Sequence, residues 1–467
     1  MQNAELLLPR RPGRLSWPHA LLHEHLQARL MARDDSRRLL RAAAEALTHH
    51  PQAGTRRVVR QRVVNLIQAG DSDAAAQLLF DFLDRAWNGP RDPLAALSDL
   101  DLFKGRLQGR SLAMKHRWQA EALRHVARAE EAAVHAEIAR ASFEEQGDKE
   151  NLAHTLRLLG HLHCDRGTST EGLELVEHAA KLFGELNHTA GLAQCDAVLA
   201  EIHYLLGHYD EARRAIESAD ERFEKLEQPL GRGQSLLLLS WIEHSEGRAT
   251  RARRMALEAR GEFEHAGYRM GVAQANASLA HVEHRLLNYY SAELGAEEAL
   301  AMFTSLQSPR GEAACERLLA MIAVDVDDSE GARQHAAKAK KLYEHLGDPW
   351  GVIEATLLLA QAALAEGDLT TASRLLKEPP PAASLDPEPR QHLLVTRAWL
   401  HLSLHQSNLA ADALVAASQV YGEASRSGDH TPHLLARLAR FAWPDPAATR
   451  LKSWRSLLAD RQRKSQE

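Results

Sequence analysis

Cysteine is scarce. The 467 residues contain three, Cys164, Cys195 and Cys315, far apart and without a C-x-x-C pair, so neither a disulfide framework nor a thiolate metal site is indicated. A reducing cytoplasm is the simplest home. Aromatics make up 5% of the chain and β-branched residues are few, while Ala, Leu, Glu and Arg dominate; strands are not expected, and helix is favoured throughout. A net charge of −6 over so long a chain gives no general attraction to nucleic acid. The longest apolar stretch, Leu236 to Ile242, is far below a membrane span. The opening MQNAELLLPRRPG breaks into charges and prolines before it could form a signal-peptide core. Catalytic signatures are missing too: no G-x-x-x-x-G-K-[ST], no G-x-S-x-G elbow and no H-E-x-x-H. Gly231-Arg232-Gly233 opens a helix inside a repeat and lacks the strand that a nucleotide loop needs. No catalytic residue, cofactor, metal site or membrane partner is expected.

What is present is a period. Phe143, Phe183, Phe223, Phe263, Phe303 and Tyr343 recur every forty residues, as do Gly191, Gly231, Gly271, Gly311 and Gly351. Leu159, Leu199, Leu239, Leu279, Leu319 and Leu359 run between them, each followed by a small residue. Two further small-residue columns read Gly172, Ala212, Ala252, Ala292, Ala332, Ala372 and Ala179, Ala219, Ala259, Ala299, Ala339. A register so consistently kept marks a repeat protein. Within a unit, Ala212, Ala215, Ile216, Ala219 and Phe223 have helical spacing. Gly167, Gly207, Gly247 and Gly367 divide units into two helices of roughly fifteen residues, since glycine can end a helix in the left-handed region. Each unit is thus a helical hairpin. The small columns fall where its helices cross, and the aromatic closes the gap to the next hairpin.

Leu159-Gly160 in the first helix, Gly207 to Ala212 through the turn, and Ala219 and Phe223 in the second resemble the tetratricopeptide repeat. The forty-residue unit is similar to the long variety of kinesin light chains and of the arms of bacterial signalling ATPases and kinases. The resemblance implies an all-α, right-handed solenoid, a superhelix of about eight hairpins, whose function is binding. Residues 15–47 resemble the last helices of the ATPase core in STAND-type signalling proteins, through Trp17, His19, Ala20, Leu21, Leu22, Glu24, Leu26, Leu30, Arg38, Leu39, Ala43, Ala44 and Leu47. Nothing upstream of them supplies an ATPase.

In chain order, residues 1–50 read as an N-terminal helical cap and 51–103 as a degenerate hairpin and loop. That hairpin has helices Val58 to Ala69 and Ala74 to Ala86 about Gly70. Regular repeats fill 104–346. Degenerate ones fill 347–425, interrupted by a proline-rich connector, 378–390, that no helix should cross. Residues 426–467 read as a capping region with a basic helix at Arg450 to Lys464. The segment Val324-Asp325-Val326-Asp327-Asp328 replaces a turn glycine with carboxylates.

In tetratricopeptide stacks the first helix lines the inner groove. Carried onto this sequence, the family's groove positions give His154, Arg157 and His161; Gln194, Glu201 and Tyr204; Gln234, Trp241 and His244; and Gln274, His281, His284 and Arg285. The column His154, Gln194, Gln234, Gln274 is polar throughout, and polar residues repeated at one helical position are more often displayed than buried. Trp241 stands in a column with His161, Glu201 and His281, either as an interface anchor or packed on a neighbouring helix. The 26 histidines do not form a metal set: His23 and His25, like His161 and His163, are two apart and point to different sides of a helix. His163, His203, Glu243 and Glu283 form a column of polar packing or groove residues.

Two basic segments remain, Arg33, Arg37, Arg38, Arg41, Arg56, Arg57, Arg60 and Arg62, and Arg450 to Lys464. They read as solvated faces or caps, because no helix-turn-helix accompanies them; nucleic acid is not an expected partner. The function expected is a non-enzymatic scaffold or sensor arm that binds a protein or peptide in its concave groove, beside a STAND ATPase or a kinase in bacterial signal transduction or transcription control. The alternative is a regulator whose superhelix compacts on a peptide or small ligand.

Overall fold

A computed structural model describes residues 8–11, 14–16, 29, 32–87, 92–126, 128–166, 168–378 and 387–423. The chain is all-α apart from one short antiparallel pair, β1 (Leu8–Arg11) and β2 (Arg14–Ser16), with Leu8 opposite Ser16. That pair departs from the expectation of no strands. Composition argues for helix on average, and it does not prevent two short extended runs from pairing locally. Two compact units divide the chain, residues 1–166 and 167–467.

The first unit holds seven described helices: α1 (Ser36–Ala46), α2 (Arg56–Ala69), α3 (Ser72–Trp87), α4 (Pro93–Leu100), α5 (Gly109–His125), α6 (Ala129–Gln146) and α7 (Lys149–Asp165). Gly70 ends α2 with a φ of 91°. Pro93 opens α4 behind an Asp92 cap, a position where its missing N–H costs nothing. One core joins Leu79, Phe80, Phe103, Trp118, Phe143 and their neighbours. Phe103 is fully buried and lies forty residues before Phe143, so the aromatic column begins one unit earlier than the regular spacing suggested.

Arginines of the N-terminal basic run are spent on carboxylates. Arg33 pairs with Asp35 and Arg41 with Asp71. Arg56 and Arg60 both donate to Asp99, at 2.8 and 2.7 Å. The C-terminal basic helix, His23 and His25, Gly167 and most of 15–31 lie outside the described residues.

The second unit holds α8 (Ser169–Glu185), α9 (Thr189–Leu205), α10 (Tyr209–Lys225), α11 (Pro229–Ser245), α12 (Ala249–His265), α13 (Arg269–Arg285), α14 (Tyr289–Ser305), α15 (Pro309–Asp325), α16 (Ser329–Leu346), α17 (Pro349–Glu366), α18 (Leu369–Leu375), α19 (Pro387–Ser403) and α20 (Ser407–Glu423). Helices α9 and α10, α11 and α12, α13 and α14, α15 and α16 are the hairpins. α19 begins inside the stretch read as connector, at Pro387, because proline is compatible with a first helical turn.

Helical hairpins need something to hold them at a fixed pitch, and here it is an aromatic seated on a glycine. A Cβ built at Gly191, Gly231, Gly271, Gly311 or Gly351 would lie under 3.0 Å from the ring of Phe183, Phe223, Phe263, Phe303 or Tyr343. The two forty-residue columns are therefore one contact repeated. The turn inside each hairpin needs a positive φ, supplied by Gly207, Gly247 and Gly367; Leu287 and Asp327 take the same conformation, at 65° and 66°. The carboxylate segment has separate tasks: Asp327 makes the turn, Asp328 caps α16 through the Gly331 N–H, and Asp325 meets His284.

First helices are sunk and second helices ride outside. α11 buries Leu236, Leu237, Leu238, Leu239 and Ile242, whereas α12 buries Ala249, Ala252, Ala256, Ala259 and Phe263 and turns its arginines and glutamates to solvent. Successive first helices, α11 with α13 and α13 with α15, touch one another. Past the short α18, α19 lies against α17, and the amide of Gln361 donates to His392 Nε2 (2.7 Å) while His392 Nδ1 meets Glu354 at 3.0 Å.

Candidate functional site

In the second unit the proposed wall is built from α9, α11 and α13. Trp241 is 38% exposed, although it sits on the helix with the most buried leucines. The reason is helical phase: Leu238, Leu239 and Ile242 take the core side and leave position 241 outward. Its ring lies 6.3 Å from that of Tyr204, whose hydroxyl is 3.2 Å from the Ser245 hydroxyl on α11. Tyr204 and Trp241 are thus brought together across two hairpins. Gln234 and Gln274 are exposed, and Gln194, Glu201, His244, His281 and Arg285 are half-buried. Downstream, the Arg317 guanidinium lies 5.4 Å over the half-exposed ring of Trp350.

His284 is a correction. It is 2% exposed, and its Nε2 lies 2.8 Å from Asp325 Oδ2 on the next first helix. A histidine with a carboxylate one repeat away can be buried where its glutamine neighbours cannot, so it braces α13 against α15 and does not face a ligand. The glutamates one column over are also internal. Glu243 is bound by Arg213 and Arg248, and Glu283 by Arg253 (2.6 Å) and Asn288 (2.7 Å). Burial pushes the Glu243 carboxyl up, but the hydrogen bonds from Arg248 and Arg213 outweigh it and hold it below the ordinary value. These residues hold the hairpins together and are not displayed.

In the first unit, His154, Arg157 and His161 are half-buried on α7. Counting back one repeat from the groove columns reaches Arg117, Glu121 and Arg124 on α5, residues that the groove reading left out. Arg157 lies 3.7 Å from Glu121, Arg117 3.8 Å from Asp84, Arg124 3.5 Å from Asp165 and His125 4.0 Å from Glu121. The Arg117 guanidinium covers the Trp118 ring at 4.7 Å, and Trp118 meets Trp87 edge-on at 5.2 Å. This face of α5 and α7 sets arginines among carboxylates, with Trp118 and Trp87 buried in the core behind it, in contrast to the exposed amides of α11 and α13.

Between α5 and α6, His116 Nδ1 lies 2.8 Å from His135 Nδ1 with the rings stacked. Burial, then His135 and Lys115, push His116 down to about 4, and burial also lowers His135. Because the folded state favours neutral rings, stability is complete above the ordinary histidine value of 6.5 and falls as pH drops from there toward 4. After solvent screening of these half-exposed rings the loss should be about 1–2 kcal/mol. Urea unfolding of the full chain at pH 7.5 and about pH 4.5 should show a smaller difference for His116→Asn than for the native chain; equal differences would remove the pair from the acid response.

No protein-family profile and no curated protein matches the sequence. Solved structures do resemble it. A signal transduction ATPase with numerous domains (STAND) carrying a tetratricopeptide repeat sensor, from Pyrococcus horikoshii, is 14% identical over 80% of this chain, with a TM-score of 0.56. The chain spans 56% of the length of that protein. A Rap protein complexed with competence and sporulation factor is 14% identical, with 87% of this chain and 97% of that one covered, at a TM-score of 0.50. At such identity the likeness establishes architecture alone: the chain is a tetratricopeptide-type α-solenoid.

Proposed function

We propose that this solenoid is a non-enzymatic scaffold or sensor arm that holds a peptide or an extended protein segment on the wall formed by its first helices, in a signalling or transcription-control setting. The observation that carries this reading is Trp241. A large aromatic surface left 38% exposed, beside Tyr204, on the helix of the exposed Gln234 and with Gln274 exposed on the next first helix, combines apolar area with backbone-reading hydrogen-bond groups. From α9 to α16 the second helices carry the core aromatics and the first helices carry the amides, so the wall can vary without disturbing the pitch.

The double substitution Trp241→Ala and Gln234→Ala tests it. Capture of partners by immobilised protein, quantified by mass spectrometry and then by titration of the identified segment, should weaken at least about 30-fold, the effect of losing a hot-spot anchor. The thermal midpoint should stay within about 2 °C of the native value, because exposed substitutions are energetically mild. A large fall in midpoint with binding intact would place Trp241 in the packing.

A second reading, a sensor that compacts on a peptide or small ligand, is favoured by the two solved structures of similar fold, one with a tetratricopeptide repeat sensor and one complexed with competence and sporulation factor. Solution scattering separates the two: compaction on ligand addition supports the sensor, and unchanged dimensions support the scaffold. A STAND ATPase or a kinase remains the partner class that this setting proposes, and the cytoplasm its compartment. No described helix is long and apolar enough to cross a membrane.

A further inference from the structure

Arg117 and Arg157 occupy one repeat position on consecutive first helices, α5 and α7. Further along the chain that position holds Ala197, Leu237 and Ala277, and then Arg317, which covers the Trp350 ring, so a small or apolar side chain satisfies the packing there. The first unit places guanidinium groups in it on two consecutive first helices. Their side chains are 11% and 12% exposed. Burial of a charge is costly unless hydrogen bonds and counter-charges compensate.

Compensation is incomplete. Among the described residues neither guanidinium donates a hydrogen bond: their carboxylate neighbours, Asp84 and Glu121, stand at 3.8 and 3.7 Å, beyond hydrogen-bond reach. Asp84 is itself 59% exposed, and such a pair contributes little. Glu121 is shared with His125. Both Nε atoms are sealed from solvent without a partner, while each side chain keeps a small exposed fraction. Arg117 is fixed from behind by the face of Trp118. The groups also repel each other, and burial together with that repulsion makes the Arg117 charge harder to hold.

We propose that Arg117 and Arg157 form a binding site for an oxyanion, a carboxylate or phosphate group whose oxygens accept from both guanidinium forks. Planar, rigid donors with unspent N–H groups match such acceptors bidentately. A ligand oxyanion supplies the hydrogen bonds that Asp84 and Glu121 stand too far away to accept. The proposal rests on the reading of first helices as a displaying wall and deepens it: the occupant of the first unit carries an acidic group there.

The test uses the full chain in chloride buffer of constant ionic strength, titrated with inorganic phosphate in one arm and acetate in the other. Thermal midpoint and titration calorimetry are the readouts. The native chain should show a saturable rise in midpoint with at least one ion, and the arm that responds identifies a phosphate or a carboxylate ligand. Arg157→Leu should lose about tenfold or more in affinity while its midpoint in chloride alone equals or exceeds the native value, since Leu237 fills the same position elsewhere. Arg157→Lys, which keeps the charge but not the fork, should fold normally and also bind more weakly, and it decides the matter if the leucine variant does not fold. No saturable response to either ion, or an undiminished response in the lysine variant, overturns the proposal. Failure here leaves the partner capture assigned to Trp241 and Gln234 untouched, because no peptide enters the titration.

Discussion

Phe263→Ala should lower stability by about 3–5 kcal/mol, the loss expected for an aromatic removed from a closed core, measured as the urea midpoint of the full chain. Phe263 is completely buried and is clasped from two sides. Gly233 on the first helix of its own hairpin and Gly271 on the next would each place a Cβ under 3.0 Å from its ring, and Tyr268 meets it edge-on at 5.8 Å. Gly271→Ala should therefore cost about 1–3 kcal/mol by overpacking. Combined with Phe263→Ala, it should cost less, because the cavity accepts the added methyl and gives the Tyr268 ring, 2.7 Å from the same Cβ, room to shift. Simple additivity in that cycle would show that the ring does not rest on Gly271.

The second large effect belongs to Asp99. Its carboxylate is 2% exposed and is held by Arg56 and Arg60, both 40% exposed; Arg56 also donates to the Ala95 carbonyl at 2.9 Å, so α2 is clipped to α4. Breaking the group from either side is not equivalent. Arg56→Met with Arg60→Met leaves a buried carboxylate uncompensated, at about 3–5 kcal/mol. Asp99→Leu leaves arginines that can rehydrate, so it should cost clearly less. Equal losses in denaturant unfolding would mean that Asp99 reaches water more freely than its burial implies.

The forty-residue columns made the fold legible, because a contact repeated at fixed spacing writes itself into the sequence. Phe103 belonged to the same column, but the helix before it is short, and Asp99 stands where later units have the small Ala139, so the register was disguised. The first-unit wall followed the same arithmetic: forty residues before Arg157, His161 and Cys164 stand Arg117, Glu121 and Arg124. What the period could not convey was the pairing of individual charges. His284 shares a column with Tyr204 and His244, yet only the nearby Asp325 makes it an internal brace. Arg56 and Arg60 read as part of a basic surface until Asp99, beyond a loop, turned out to be their partner. Glu243 and Glu283 were claimed by arginines of the second helices in the same way.

The seat of each aromatic on the following hairpin's glycine gives the second unit a polarity. Phe223 is covered from the C-terminal side by Gly231, Phe263 by Gly271 and Phe303 by Gly311, so every hairpin depends on its successor to shelter its ring. A chain cut after a second helix would end on a bare aromatic, whereas one cut after the next first helix would keep its lid. Fraying of the array therefore begins at its C-terminal edge, and the place where a shortened version can stop without becoming sticky is set by the glycine that follows each ring.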